Sequence, residues 1–105
     1  MRHDKLVRDR IPEIVEAAGK HPVYRILDAA EFRVAVCEKL IEEAKETAAA
    51  TGDERLSELA DLAETLDAAL AAHGFTHDHL RARRDARRRE RGAFERRVFL
   101  ESVEE

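Results

Sequence analysis

The sequence predicts an all-α fold: a helical hairpin that pairs with a second copy into a dimeric four-helix-bundle core, with a small two-stranded β accessory. Of the 105 residues, 44% are hydrophobic and 40% are charged, yet only 4 are Gly and 2 are Pro. So few helix breakers among many Ala, Leu, Glu and Arg favour long helices. The length corresponds to one domain over residues 1–105. Because a lone hairpin buries little surface, we expect two copies to associate.

Breakers and capping residues divide the chain into four predicted helices. Pro12 suits the first turn of a short helix that Gly19 ends. Asp28, followed three residues later by Glu31, gives a capping-box pattern that opens a long helix. Gly52 breaks that helix. The helices are expected over residues 11–18, 28–50, 53–73 and 76–91, with caps at Asp53 and Thr76 for the last two, and short strands over residues 21–27 and 97–103.

Composition excludes several classes of protein. The sequence contains no Gly-rich phosphate loop, which excludes a doubly wound nucleotide-binding sheet. No apolar run approaches the ~20 residues that span a bilayer, and the first residues lack the apolar stretch of a signal peptide. With one cysteine, Cys37, no internal disulfide can form. We therefore expect a cytoplasmic protein that has no membrane partner.

Four acidic residues of the two central helices suggest a metal site. Glu43 and Glu46 are three residues apart on one helix, and Glu58 and Asp61 are three apart on the next. Each pair therefore shares a helix face. In an antiparallel hairpin that turns at Gly52, Glu43 lies opposite Asp61, and Glu46 lies opposite Glu58. Oxygen ligands without Cys or His favour Mg²⁺, or Mn²⁺, over Zn²⁺.

The same spacing also fits an exposed acidic surface. In a helical projection, Glu58 and Asp61 point away from the leucines that include Leu59 and Leu66, which is where solvent-facing acids are expected. A metal site on this face requires a partner subunit or the terminal segments to cover it. Glu64 continues the same ridge one turn beyond Asp61, a position that suits the orientation of water beside a metal.

Three blocks of the sequence resemble one protein family. The segment from Lys39 to Glu46 (KLIEEAKE), followed by Glu58 to Asp61 (ELAD), resembles the ExxE…ExxD signature of the all-α MazG-like nucleotide pyrophosphohydrolases. The opening KLVRDRIP at residues 5–12 and the ending ERGAFERRVFL at residues 90–100 are similar to a small branch of that family, the phosphoribosyl-ATP pyrophosphohydrolase-like proteins. The three blocks have the family's order and cover nearly the whole chain.

The resemblance implies Mg²⁺-dependent hydrolysis of a nucleoside triphosphate, including non-canonical, house-cleaning substrates, to the monophosphate and pyrophosphate. It implies that Glu43, Glu46, Glu58 and Asp61 hold the metal. From its place on the same ridge, we expect Glu64 to assist in catalysis. The expected partners are the nucleotide and a second copy of the chain, or a higher homo-oligomer. The implied contacts to phosphate come from basic side chains in the terminal blocks: Lys5, Arg8, Arg91 and Arg97.

The C-terminal quarter of the chain is basic, whereas the body is acidic. Residues 1–80 carry 10 Lys and Arg against 17 Asp and Glu, and residues 81–105 carry 9 Arg against 6 acidic residues. A basic helix can neutralise the phosphates of nucleic acid. However, Asp85, Glu90 and Glu95 interrupt the arginines, and Phe94 is the one aromatic residue among them. No base-stacking platform is predicted, so we do not expect nucleic acid as a partner.

Two other functions fit the same residues. Hydrolysis of phosphoribosyl-ATP in histidine biosynthesis would use the same carboxylates. A non-catalytic nucleotide-binding or regulatory helical module would keep the scaffold and bind nucleotide without turnover. Assays of pyrophosphate release from each substrate distinguish the three possibilities.

Overall fold

The structure, a computed structural model, describes residues 3–105, which contain four α-helices. Helix α1 spans Ile11–Ala17, α2 spans Ala29–Ala49, α3 spans Asp53–Ala72 and α4 spans His77–Arg91. The all-α prediction is confirmed, and the helix limits lie within a residue or two of those expected. Within residues 3–105, no helix combines the length and the apolar character needed to cross a bilayer.

Side-chain caps fix the starts of α2 and α4. Asp28 accepts a hydrogen bond from the Glu31 N–H at 2.8 Å, and Glu31 accepts one from the Asp28 N–H at 3.3 Å, so the predicted capping box is present. Arg25 lies 2.8 Å from Glu31 and lowers the pKa of that carboxyl by donating hydrogen bonds to it. Thr76 caps α4 by accepting from the His79 N–H at 3.1 Å.

The tight turn between α2 and α3 depends on a glycine. Gly52 has a φ of +56°, which strains any residue with a Cβ atom. It is the N-cap of α3, so the prediction that Asp53 caps this helix is wrong; Asp53 is the first helical residue. Arg55 donates hydrogen bonds to the carbonyl oxygens of Thr47 and Ala50. These bonds satisfy carbonyl groups that the end of α2 leaves unpaired.

The two predicted strands are absent from the described residues. Residues 21–27 and 97–103 have no strand structure, which contradicts the predicted β accessory. Their apolar side chains stay largely exposed, as Val23 at 90% and Phe99 at 87% show. β-branched and aromatic residues favour a strand when a neighbouring strand and a packed face are available, and two strands alone are marginal.

The chain divides into two compact units, one that ends at Phe75 and one from Thr76 to Glu105. In the first unit α3 turns back along α2 and packs against it. The buried apolar residues of the described chain are Val36 of α2 and Ala69 of α3. The second unit contains α4, which has no buried residue. The single domain predicted over residues 1–105 stays a prediction.

The leucine-rich face of α3 is not the face that packs against α2. Leu56, Leu59 and Leu66, here called the leucine stripe, are 69%, 46% and 39% exposed. Glu58 is instead half-buried and Thr65 is buried, on the opposite face of the helix. The helical projection therefore separates the two faces correctly, but the acidic face, rather than the apolar one, lies against α2.

Candidate metal centre

Acidic side chains of α2 and α3 meet between the two helices. On α2, Glu42, Glu43 and Glu46 can each place one carboxylate oxygen within 4.8 Å of the other two. Glu43 also forms such a group with Glu58 and Asp61 of α3. Because Glu43 belongs to both groups, the five residues form one continuous carboxylate cluster. The four predicted metal ligands thus lie together, and Glu42, which was not predicted as a ligand, joins them.

Two oxygens in the carboxylate cluster have no hydrogen-bond partner. Glu43 is only 5% exposed. Its Oε2 atom and the Oε2 atom of Glu58 are inaccessible to solvent and accept no hydrogen bond within the described residues. A buried carboxylate oxygen without a partner costs free energy, and a cation between the helices would supply the missing interaction. The all-oxygen donor set fits Mg²⁺ or Mn²⁺.

The surroundings of Glu58 disfavour its negative charge. Partial burial raises the pKa of the Glu58 carboxyl, and the negative charges of Glu46, Asp61 and Glu43 raise it further. Either a proton or a bound cation relieves this repulsion. A cation bound beside Glu58 would therefore favour the ionised form of its carboxyl.

Lys39 holds the two consecutive carboxylates of α2. Its Nζ atom lies 3.4 Å from Oε2 of Glu42 and 3.3 Å from Oε1 of Glu43. Partial burial lowers the Lys39 pKa, but the hydrogen bond to Glu43 and the attraction of Glu42 outweigh it, so the pKa is raised overall. Contact between Lys39 and Glu43 was not predicted, although their spacing of four residues on a helix was an available signal.

The N-terminal segment supplies two further cations. Nζ of Lys5 lies 3.2 Å from Oε1 of Glu42, and Nη2 of Arg8 lies 2.6 Å from Oδ1 of Asp61. Burial raises the Glu42 pKa, but Lys5 and Lys39 together bring it below its usual value. Two residues predicted to contact phosphate are thus counter-ions of the carboxylate cluster. Since both pairs are partly exposed, each contributes little to stability.

Negative charge remains in excess in the carboxylate cluster. Its five carboxylates are accompanied by three cations, Lys5, Arg8 and Lys39. Glu46 and Glu58 form no salt bridge with any residue of the described chain. When every group is ionised, the excess of about two negative charges equals the charge of one divalent cation.

The other predicted site residues lie outside the carboxylate cluster. Glu64 is exposed and belongs to neither group of carboxylates, so its assistance in catalysis stays a prediction. Arg91 is the last residue of α4, and Arg97 follows it with a φ of +56°. Both are exposed residues of the second unit, and their contact with phosphate also stays a prediction.

Comparison with known proteins gives a partial match. A stretch of 46 residues is 50% identical to an uncharacterized protein of Mycolicibacterium smegmatis. It covers 44% of this chain and 47% of that protein, so the match extends over about half the length of the relative. No protein-family profile and no solved structure matches the chain. Membership of the MazG-like family therefore stays a prediction from the sequence motifs.

We expect Glu58→Gln to raise the thermal unfolding midpoint of the metal-free protein at neutral pH. Because the folded state raises the pKa of Glu58, the ionised carboxylate destabilises the fold above that pKa. The penalty is lost as the pH falls from the folded pKa toward the unfolded pKa. The advantage of the variant should therefore shrink on acidification, which thermal unfolding in EDTA at about pH 4 to 8 would measure.

Glu64→Gln provides the matched control, because it removes the same charge from α3 outside the carboxylate cluster and should give no such gain. Mg²⁺ should raise the unfolding midpoint of the wild type more than that of Glu58→Gln. A lower midpoint for metal-free Glu58→Gln at neutral pH, or equal gains from Mg²⁺ in both proteins, would contradict the assignment.

Proposed function

We propose that the protein is a Mg²⁺-dependent pyrophosphohydrolase that converts a nucleoside triphosphate to the monophosphate and pyrophosphate. The observation that carries this proposal is the pair of solvent-inaccessible, unpartnered oxygens on Glu43 of α2 and Glu58 of α3, two residues of one carboxylate cluster. Cations beside these carboxylates add the means to bind an anionic substrate. The resemblance of the sequence to MazG-like enzymes supports the choice of reaction.

The proposed metal ligands are Glu43, Glu46, Glu58 and Asp61, and Mn²⁺ is an acceptable substitute for Mg²⁺ at an all-oxygen site. When bound, the ion neutralises phosphate oxygens and makes water a better nucleophile. Lys39 forms a salt bridge with Oε1 of Glu43, so Oε2 is the oxygen of that residue that would bind the ion. Since water is the attacking group, no nucleophilic Ser or Cys is required among the surrounding side chains.

Lys5 and Arg8 can leave their carboxylate partners and pair with phosphate groups when the nucleotide binds. Each is partly exposed and pairs with a carboxylate at the edge of the cluster, Glu42 or Asp61, so reorientation costs little free energy. The Arg8 guanidinium can then donate two parallel hydrogen bonds to a phosphate group.

We also propose that the protein acts as a homodimer with a four-helix core. The leucine stripe of α3 is exposed, and so are Val34 and Ile41 of α2, at 61% and 58%. A second copy packed on these apolar residues would remove them from water, and a standard interface buries about 800 Å² per partner.

The direct test is pyrophosphate release from a panel of NTPs, dNTPs and phosphoribosyl-ATP, with Mg²⁺ or EDTA. We expect metal-dependent release, and we expect Glu46→Gln to lower kcat/KM by about 100-fold or more, because it removes a carboxylate that holds the ion. Glu38→Gln is the matched control, since Glu38 is an exposed residue of the same helix outside the carboxylate cluster.

Three outcomes of this panel separate the possible functions. Release from a nucleoside triphosphate supports the proposal, and release from phosphoribosyl-ATP alone would assign the protein to histidine biosynthesis. A folded protein that binds Mg²⁺ and nucleotide but releases no pyrophosphate would contradict enzymatic activity, and it would favour a nucleotide-binding module.

Arg8→Gln separates the role of Arg8 as a counter-ion from its role toward substrate. Removing the guanidinium frees Asp61, so we expect tighter Mg²⁺ binding by calorimetry. We also expect KM for the nucleotide to rise roughly tenfold or more, because a charged hydrogen bond to phosphate is lost. Arg10→Gln should change neither value, since Arg10 pairs with Glu13 of α1. Weaker Mg²⁺ binding by Arg8→Gln would contradict its role as a counter-ion, and an unchanged KM would contradict its role toward substrate.

Leu59→Glu tests the homodimer. A charge on the leucine stripe should convert the dimer to a monomer, because an unpaired carboxylate cannot be buried at an apolar interface. Light scattering after size exclusion measures the mass, and Leu59→Met should remain dimeric. Since Leu59 is 46% exposed within the chain, the variant should keep its helical circular dichroism. A monomeric wild type would disprove the proposed assembly.

A further inference from the structure

A concave surface lies on α4 and the turn that follows it. The surface encloses about 430 Å³ and is lined mainly by arginine side chains. All of its lining residues belong to the second unit, so it is separate from the carboxylate cluster. We call this surface the arginine cleft and define it by Arg83, Arg84, Arg87, Arg88 and Phe94.

The four arginines that define the cleft make no ion pair or hydrogen bond through their side chains within residues 3–105. The salt bridge on this helix joins Arg81 to Asp78 instead. Positive charges three and four residues apart repel along a helix, and α4 has no buried residue to offset that repulsion. Asp85 also lines the arginine cleft, so its four unpaired guanidinium groups leave a net positive surface that suits an anion with more than one negative charge.

An exposed aromatic ring stands beside these guanidinium groups. Phe94 is 96% exposed, although burial of such a ring is normally favourable. The chain reaches this position because Gly92 ends α4 with a φ of +82°, while its N–H donates to the Arg88 carbonyl at 2.8 Å. The turn brings Phe94 to the same concave surface as arginines one to three helical turns earlier.

We propose that the arginine cleft binds single-stranded nucleic acid, with guanidinium groups on successive phosphates and Phe94 stacked on an unpaired base. Basic side chains that follow a phosphate backbone, together with an aromatic ring for the bases, are the usual elements of single-strand binding. A duplex keeps its bases stacked within the helix, and inorganic polyphosphate has none, so neither can use Phe94. Nucleic acid was not an expected partner from the sequence, because acidic residues interrupt the arginines and Phe94 is the one aromatic residue among them.

The probe is a fluorescein-labelled oligouridylate of about 12 nucleotides, a length within the range of known single-strand sites. Binding to the full chain is followed by anisotropy at several salt concentrations. We expect the double variant Arg84→Gln, Arg88→Gln to bind roughly tenfold more weakly or worse. Its slope of log affinity against log salt should fall by about 1.4, which is about 0.7 for each lost phosphate contact.

Arg89→Gln combined with Arg96→Gln is the matched control, because it removes the same charge from residues that do not line the arginine cleft. It should lose less than the first pair. Arg84→Lys with Arg88→Lys should restore the salt slope, and circular dichroism should show the same helix content in all variants. Equal loss of affinity in the two glutamine pairs would overturn the cleft as the binding site.

Phe94→Leu tests the stacked base. It should weaken oligouridylate binding about fivefold or more and leave the binding of inorganic polyphosphate unchanged. If Phe94→Leu binds oligouridylate as the wild type does, or if a duplex binds as tightly as the single strand, the proposal of a single-strand site is overturned. No measurable binding of oligouridylate at low salt overturns it as well.

Discussion

Repulsion between like charges at the contact of α2 and α3 is the constraint on which the first unit depends. Glu43 and Glu58 are placed where their Oε2 atoms meet neither solvent nor a donor. Burial of unpaired carboxylates is costly, so positive charge near them stabilises the fold. Lys39 of α2 pairs with Glu43 itself. From the N-terminal segment, Lys5 and Arg8 pair with the neighbouring carboxylates Glu42 and Asp61. The path of residues 5–8 over the hairpin is thus linked to the acids that they neutralise.

The same constraint explains the modest core of the hairpin. Carboxylates and small residues occupy the space between α2 and α3 that apolar side chains would otherwise fill. The buried apolar residues of the described chain are therefore Val36 and Ala69. Thr47 and Thr65 satisfy their hydroxyl groups by donating to carbonyl oxygens one turn earlier. Sites that hold charge for chemistry commonly lower the stability of the fold that carries them. Because carboxylates lie between α2 and α3, much of the apolar surface of the hairpin lies on its outside.

Local signals predicted the helices well because they act over a few residues. The Asp28 cap, the break at Gly52 and the cap at Thr76 all hold, and spacing alone brought the four acids together. Periodicity identifies two faces of α3 but not the neighbour of each face, which is why the spacing of Glu58 and Asp61 fitted both a metal site and an exposed acidic surface. The prediction of two strands was wrong for a related reason, since a segment with strand propensity forms a strand only beside a neighbouring strand. The position of Phe94 beside the arginines follows from a backbone turn that no periodic pattern encodes.

Glu43 belongs to both groups of carboxylates, and this gives the two helices a shared evolutionary constraint. A substitution at Glu46 of α2 and one at Asp61 of α3 change different groups, yet each alters the charge that Glu43 experiences. Their effects on the protein should therefore be non-additive, as expected for residues that interact through a common neighbour. Acidic positions on α2 and α3 should vary together over evolutionary time, with Glu43 the least free to change.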